Sequence, residues 1–165
     1  MAANNEHLLR KERMIIFLDF DGVMDNGKYD LYLNQYNLPE KDEFGVLFDP
    51  DCMAALKHII DETNAEIVIS SSWKIDMSIE DMQRMWKERN LPSMPIDVTP
   101  TISRHRGDEI AAWLTLCPDP CRCVIIDDEQ REQFNMDQYP HLIYTKGLTM
   151  SIADNVIKLL NNNHL

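Results

Sequence analysis

Three short apolar runs in this chain each end abruptly in polar residues. Met14-Ile15-Ile16-Phe17-Leu18 runs into Asp19 and Asp21, the stretch Ala65 to Ile69, apolar but for Glu66, into Ser70, Ser71 and Ser72, and Cys123-Val124-Ile125-Ile126 into Asp127 and Asp128. Near-continuous apolar stretches of this length read as strands buried on both faces, the signature of a parallel sheet. Helical spacing between them supports that reading. Asp49 is an N-cap with Pro50 at the first helical position, followed by Met53, Leu56, Ile59 and Ile60. Residues 78–89 carry Ile79, Met82, Met85 and Trp86 on one face, and residues 106–116 carry Ile110, Trp113 and Leu114. A short strand is expected over 96–98 and a last one over 141–144. Gly147 breaks the chain before a final helix opened by Ser151. The expected fold is an α/β, three-layer, Rossmann-like domain with a central, mainly parallel sheet. Residues 25–48, polar with interspersed Tyr, Asn, Gly and Pro, are expected to form an irregular excursion.

In such sheets ligands bind beyond the carboxyl ends of the strands, where all three polar endings converge. Four carboxylates gathered there repel one another unless a cation neutralises them. A hard divalent ion with oxygen ligands, Mg²⁺ foremost, is the natural partner. One aspartate can then attack phosphorus and form an aspartyl-phosphate. A second, two residues on and turned into the cleft by a bend at Gly22, can protonate the leaving group and then deprotonate water. The serines offer donors to phosphoryl oxygens. Arg106, Arg104 and Lys74 are candidates for a phosphate-binding cation, with Arg106 preferred because it precedes a helix whose N-terminus can face the phosphate.

The segment Phe17-Leu18-Asp19-Phe20-Asp21-Gly22-Val23 resembles the first motif of the haloacid dehalogenase (HAD) superfamily. Ile67-Val68-Ile69-Ser70 resembles the second, and Val124-Ile125-Ile126-Asp127-Asp128 the fourth. Ser70-Ser71-Ser72-Trp73-Lys74, Arg106-Gly107-Asp108-Glu109-Ile110 and Gly147-Leu148-Thr149 are together similar to a small subfamily found alone and in multi-domain "Swiss army knife" RNA-repair proteins. The resemblance implies Asp19 as nucleophile and metal ligand, and Asp21 as general acid/base with its backbone carbonyl on the metal. It implies Ser70 or Ser71 on the phosphoryl group and Asp127 and Asp128 as the remaining metal ligands, either of which is the direct one. It further implies a domain without a large cap, since 25–48 allow only a short flap. The open cleft would admit large substrates, such as a nucleic-acid end or a phosphoprotein. The expected partner is a phosphorylated substrate, whether nucleic-acid end, nucleotide or other phosphomonoester.

The 165 residues are expected to form one domain, with 1–13 as a loosely ordered N-terminal extension. A net charge of −12 argues against a duplex nucleic-acid footprint and against anionic membranes as partners. No run approaches the ~20 apolar residues of a membrane span, and the polar N-terminus suggests a cytoplasmic setting with free thiols. Cys117, Cys121 and Cys123 read as loop and strand cysteines rather than a zinc site, because no second matching pair accompanies them. Trp73, Trp86 and Trp113 read as core or cleft-wall residues. The competing functional class is a catalytically inactive metal- or phosphate-binding regulatory domain. A receiver domain fits poorly, because its phosphoacceptor follows a later strand. A dehalogenase needs no aspartate at position 21.

Overall fold

Strand β1 (Arg13–Leu18) is central to a five-stranded sheet because Ile15, Ile16, Phe17 and Leu18 are all fully buried, so both of its faces must be covered. The computed structural model describes residues 12–162. Around β1 lie β4 (Glu66–Ile69), β5 (Asp97–Val98), β6 (Cys121–Asp127) and β7 (Leu142–Tyr144), in the order β5-β4-β1-β6-β7, every pairing parallel. The register pairs Leu18 with both Ile69 and Ile126, so β1, β4 and β6 stop at one level. That shared level brings their polar endings together.

Alternation along β1 divides the core into two layers. Ile16 and Leu18 pack with Cys52, Ala55, Leu56 and Ile59 of α2 (Pro50–Thr63), with Met82, Met85 and Trp86 of α3 (Ile79–Glu88), and with Ala153, Val156 and Leu160 of α5 (Met150–Asn161). Ile15 and Phe17 face the other way, onto Ile110 and Trp113 of α4 (Arg106–Leu116) and onto Phe134. Phe17 and Trp113 meet edge to face at 5.5 Å. Burying each large side chain contributes about 1.5–3 kcal/mol, and both layers are anchored on this one strand.

The helix starts follow their caps. Asp49 Oδ1 accepts from Asp51 N at 2.8 Å with Pro50 in the first turn, and Ser78 Oγ accepts from Asp81 N at 3.1 Å. Helix α5 begins one residue before the expected Ser151, because Thr149 Oγ1 accepts from Ile152 N at 3.2 Å. Of the expected extension over 1–13, residues 1–11 lie outside the described residues, and Arg13 belongs to β1.

The expected irregular excursion over 25–48 is corrected. It contains α1 (Gly27–Gln35) and a hairpin of β2 (Lys41–Asp42) and β3 (Gly45–Val46). Helix α1 buries only Leu33, so it shows no apolar stripe; Asn26 caps it by accepting from Tyr29 N at 3.0 Å. The hairpin is held from a distance. Arg89 donates to both carboxylate oxygens of Asp42 (2.9 and 2.8 Å), and Arg84 donates to Glu43 at 3.1 Å while lying over the Phe44 ring. No helix among the described residues is long and apolar enough to cross a membrane.

Candidate active site

Asp19 continues the sheet beyond β1, its N–H donating to the Ile126 carbonyl at 3.1 Å, and this places its carboxylate at the sheet's carboxyl edge. The chain then turns. Met24 N bonds Phe20 O at 2.8 Å, and Gly22 takes the left-handed φ of +75°. Gly22 is required twice over, because a Cβ there would run into the Asp128 carboxylate. Asp25 closes the turn, its Oδ1 accepting from Gly22 N at 2.6 Å. Sequence reasoning passed over Asp25. The available signal was a carboxylate three residues beyond a glycine in a tight post-strand turn.

Asp127 ends β6 and is fully buried. Its Oδ1 accepts from Glu129 N at 2.9 Å, while its Oδ2 makes no hydrogen bond. Asp19 is similarly buried, and its Oδ1 is also without a hydrogen bond. One oxygen each from Asp19, Asp127 and Asp128 lie within 4.8 Å of one another. Burial, followed by the neighbouring Asp127 carboxylate, pushes the Asp19 carboxyl up to about 7, against the pull of Arg106 and of a hydrogen bond from Ser71. Burial likewise pushes Asp127 up to about 6, opposed first by Arg106. Asp128 is raised by burial and by Glu129. Two buried carboxylates with unused oxygens, beside a third, are an oxygen donor set short of positive charge. That set fits a hard divalent cation.

Ser70 and Ser71 follow β4 and are fully buried. Ser70 N bonds Leu18 O at 2.9 Å, and its Oγ has no hydrogen-bond partner. The three basic candidates are placed very differently. Arg106, in the first turn of α4, reaches between the strand ends: its Nη1 donates to Ser70 O at 2.5 Å, its Nη2 lies 3.8 Å from Asp19 Oδ1, and its Nε lies 3.4 Å from Asp127 Oδ2. Lys74 instead donates to Glu109 Oε2 (2.5 Å), Thr99 Oγ1 (2.7 Å) and the Pro100 carbonyl (3.2 Å). Burial lowers the Lys74 pKa and Glu109 pulls it back. Arg104 is exposed at the rim of a cavity of about 250 Å³ that Arg106 and Lys74 also line.

The Asp21 side chain is not part of the acidic cluster. It is exposed, and its Oδ1 accepts from Trp73 Nε1 at 2.8 Å. Cys117 and Cys121 stand apart from the site, their sulfurs 2.9 Å apart at the opposite end of β6, and all four thiols are free.

No curated protein matches the sequence. The family model for the HAD domain in Swiss Army Knife RNA repair proteins matches residues 15–151, from β1 to the first turn of α5. The match spans all three strand ends, Arg106 and the Gly147 turn. Together with a five-stranded parallel sheet whose carboxyl edge gathers Asp19, Asp127 and Asp128, it places the chain in the family of HAD domains found in Swiss Army Knife RNA repair proteins.

Proposed function

We propose that this domain is a Mg²⁺-dependent phosphohydrolase that forms an aspartyl-phosphate on Asp19, acting on phosphate ends of nucleic acids or nucleotides. One observation carries the reading. Asp19 Oδ1 and Asp127 Oδ2 are buried and without hydrogen bonds, and Arg106 lies 3.4–3.8 Å from both. Groups left so unsatisfied are costly unless a ligand completes them.

Asp19, Asp127 and Asp128 would hold the ion, which supplies the positive charge that lets an anionic nucleophile meet an anionic phosphate. Arg106 and the hydroxyls of Ser70 and Ser71 orient the phosphoryl oxygens. Asp19 attacks phosphorus as the leaving oxygen departs. Asp21, on the solvent side, gives that oxygen a proton and later takes one from the water that cleaves the aspartyl-phosphate. The short β2–β3 hairpin stands where larger HAD enzymes carry a cap, which favours bulky substrates.

The test is phosphate release, with Mg²⁺ and with EDTA, from an aryl phosphate, nucleotides, 3′- and 5′-phosphorylated oligonucleotides and a phosphopeptide. Release that EDTA abolishes and Mg²⁺ restores is expected, with oligonucleotide ends preferred. Metal-independent release would overturn the site assignment. A folded, Mg²⁺-binding protein that releases nothing would make this an inactive binding domain.

Gly22 supplies a second check. In Gly22→Ala the new Cβ displaces the Asp128 carboxylate, and the left-handed backbone adds strain of about 1–2 kcal/mol. Mg²⁺ affinity, read by thermal shift, is expected to fall roughly tenfold or more. Unchanged affinity would remove Asp128 from the ion's ligands.

A further inference from the structure

A groove of about 530 Å³ opens between the β2–β3 hairpin and the segment after β4, lined by Asp21, Lys41, Phe44, Trp73, Ile75 and Met77. Trp73 is its fixed wall. The indole meets Phe20 edge-on at 5.2 Å, lies 5.9 Å from Phe48, and sits 3.3 Å from where a Cβ on Gly45 would stand. The facing hairpin is fixed as well, since Arg89 holds both Asp42 oxygens and donates to the Gly45 carbonyl at 3.3 Å. Ile75, 67% exposed, offers an apolar rim.

Into this rigid frame projects one exposed carboxylate, Asp21, held at Oδ1 by the Trp73 N–H at 2.8 Å. An exposed aspartate otherwise samples several rotamers, and fixing one has an entropic cost that the indole bond offsets. The bond also distinguishes the two oxygens: Oδ1 accepts the indole N–H, leaving Oδ2 as the oxygen for proton exchange with the substrate. A general acid must come within hydrogen-bond reach of the departing oxygen, so the leaving group lies on Asp21's side of the phosphate.

We propose that Trp73 is the positioning residue that aims Asp21, and that the leaving group of the substrate lies in this groove with an apolar or aromatic part against Ile75 and the indole edge. This rests on the phosphohydrolase reading above. As the phosphorus–oxygen bond to the leaving group breaks, Asp21 Oδ2 passes its proton to the departing oxygen; water returns a proton to Oδ2 as it attacks the aspartyl-phosphate.

The experiment compares wild type and Trp73→Phe, which keeps an aromatic wall and removes the N–H, across phosphate esters of graded leaving-group pKa. The readout is kcat/KM, which reports the step that expels the leaving group. Alkyl phosphates are expected to lose roughly 10- to 100-fold, and 4-nitrophenyl phosphate, which needs no proton, less than about 3-fold. An equal loss across the series, or none, overturns the positioning role. For the groove, Ile75→Ala, which removes apolar surface without adding charge, is expected to raise KM several-fold for naphthyl phosphate and much less for methyl phosphate; parallel effects remove the leaving group from the groove. A readout without turnover accompanies both: in metal-free protein, Asp21→Ala moves the Trp73 Nε1–H resonance upfield and speeds its exchange. An unmoved resonance overturns the contact itself. A wild type inactive on every ester, with the resonance responding as expected, defeats the phosphohydrolase reading and the catalytic role with it, while the contact stands.

Discussion

Asp19→Asn is expected to abolish turnover and, in the same protein without metal, to raise its melting temperature at neutral pH. The loss of activity follows from the proposed chemistry. A carboxamide is a poor nucleophile toward phosphorus, and removing a nucleophile typically lowers kcat by roughly 10³- to 10⁶-fold. The gain in stability follows from burial. The Asp19 carboxyl has its pKa raised to about 7 in the fold, against an ordinary value of 3.8. Between those values the folded state binds the proton and the unfolded state does not. Stability is therefore highest on the acid side of this window and is lost as pH rises through it. Above about pH 7 the ionised form carries a penalty of roughly 2–4 kcal/mol, which asparagine does not incur. Arg106 keeps Asp127 as an anionic neighbour in the variant, so no bare cation replaces the bare carboxylate. In EDTA, wild-type melting temperature should fall between pH 4 and pH 7. The variant should show a shallower slope and melt several degrees higher at pH 7.5, at about 2–4 °C per kcal/mol. Retained phosphatase activity would refute Asp19 as nucleophile; a variant that melts lower at neutral pH would refute the account of its buried charge.

How much of this molecule is legible in its sequence depends on whether the determinants are local. β1, β4 and β6 are legible because a strand buried on both faces is apolar along its buried stretch, here Ile15 to Leu18, Ile67 to Ile69 and Val124 to Ile126, and Asp19, Ser70 and Asp127 stand where that apolarity stops. Helices α2 and α3 announce themselves through Asp49-Pro50 and Ser78. Helix α1 does not, because only Leu33 is buried, and the tyrosines that recur at helical spacing, Tyr29, Tyr32 and Tyr36, pack on one another with Tyr32 and Tyr36 exposed rather than turned into the core. The hairpin is illegible for a different reason: its two-residue strands are held by Arg84 and Arg89, more than 40 positions away. Within the site, sequence separates carboxylates from hydroxyls, because each ends its own strand. It does not separate Lys74 from Arg106. Both are cations near the phosphate-side loops, and only the fold shows that Glu109, one turn into α4, takes the charge of Lys74 while Arg106 reaches Asp19 and Asp127.

That distinction is open to measurement through Lys74→Met, the substitution with the largest expected effect on stability. Lys74 and Glu109 are 4% and 6% exposed at their side chains, so their ion pair is screened little by water. Glu109 Oε1 also accepts the backbone N–H groups of Ile102 (3.1 Å) and Ser103 (3.4 Å), which shapes the loop leading into α4. Methionine fills the volume of the lysine stem but leaves the Glu109 carboxylate buried without its cation, a loss of about 3–5 kcal/mol. The double variant Lys74→Met, Glu109→Met removes both charges and should recover most of that loss, since an apolar replacement of a buried pair is often close to neutral. Urea unfolding of the four proteins reads the coupling directly. Because the pair ties the segment after Ser72 to the helix that carries Arg106, some fall in kcat is expected in Lys74→Met, in proportion to the lost order of that loop. Arg106→Ala should also cost stability in the metal-free protein, because it leaves the buried Asp19 and Asp127 carboxylates without their cation. Its turnover, however, should be lost almost completely, since in the proposed mechanism the guanidinium holds the phosphoryl group. A Lys74→Met protein of wild-type stability that loses turnover as completely as Arg106→Ala would exchange the two roles, and put Lys74 on the phosphate.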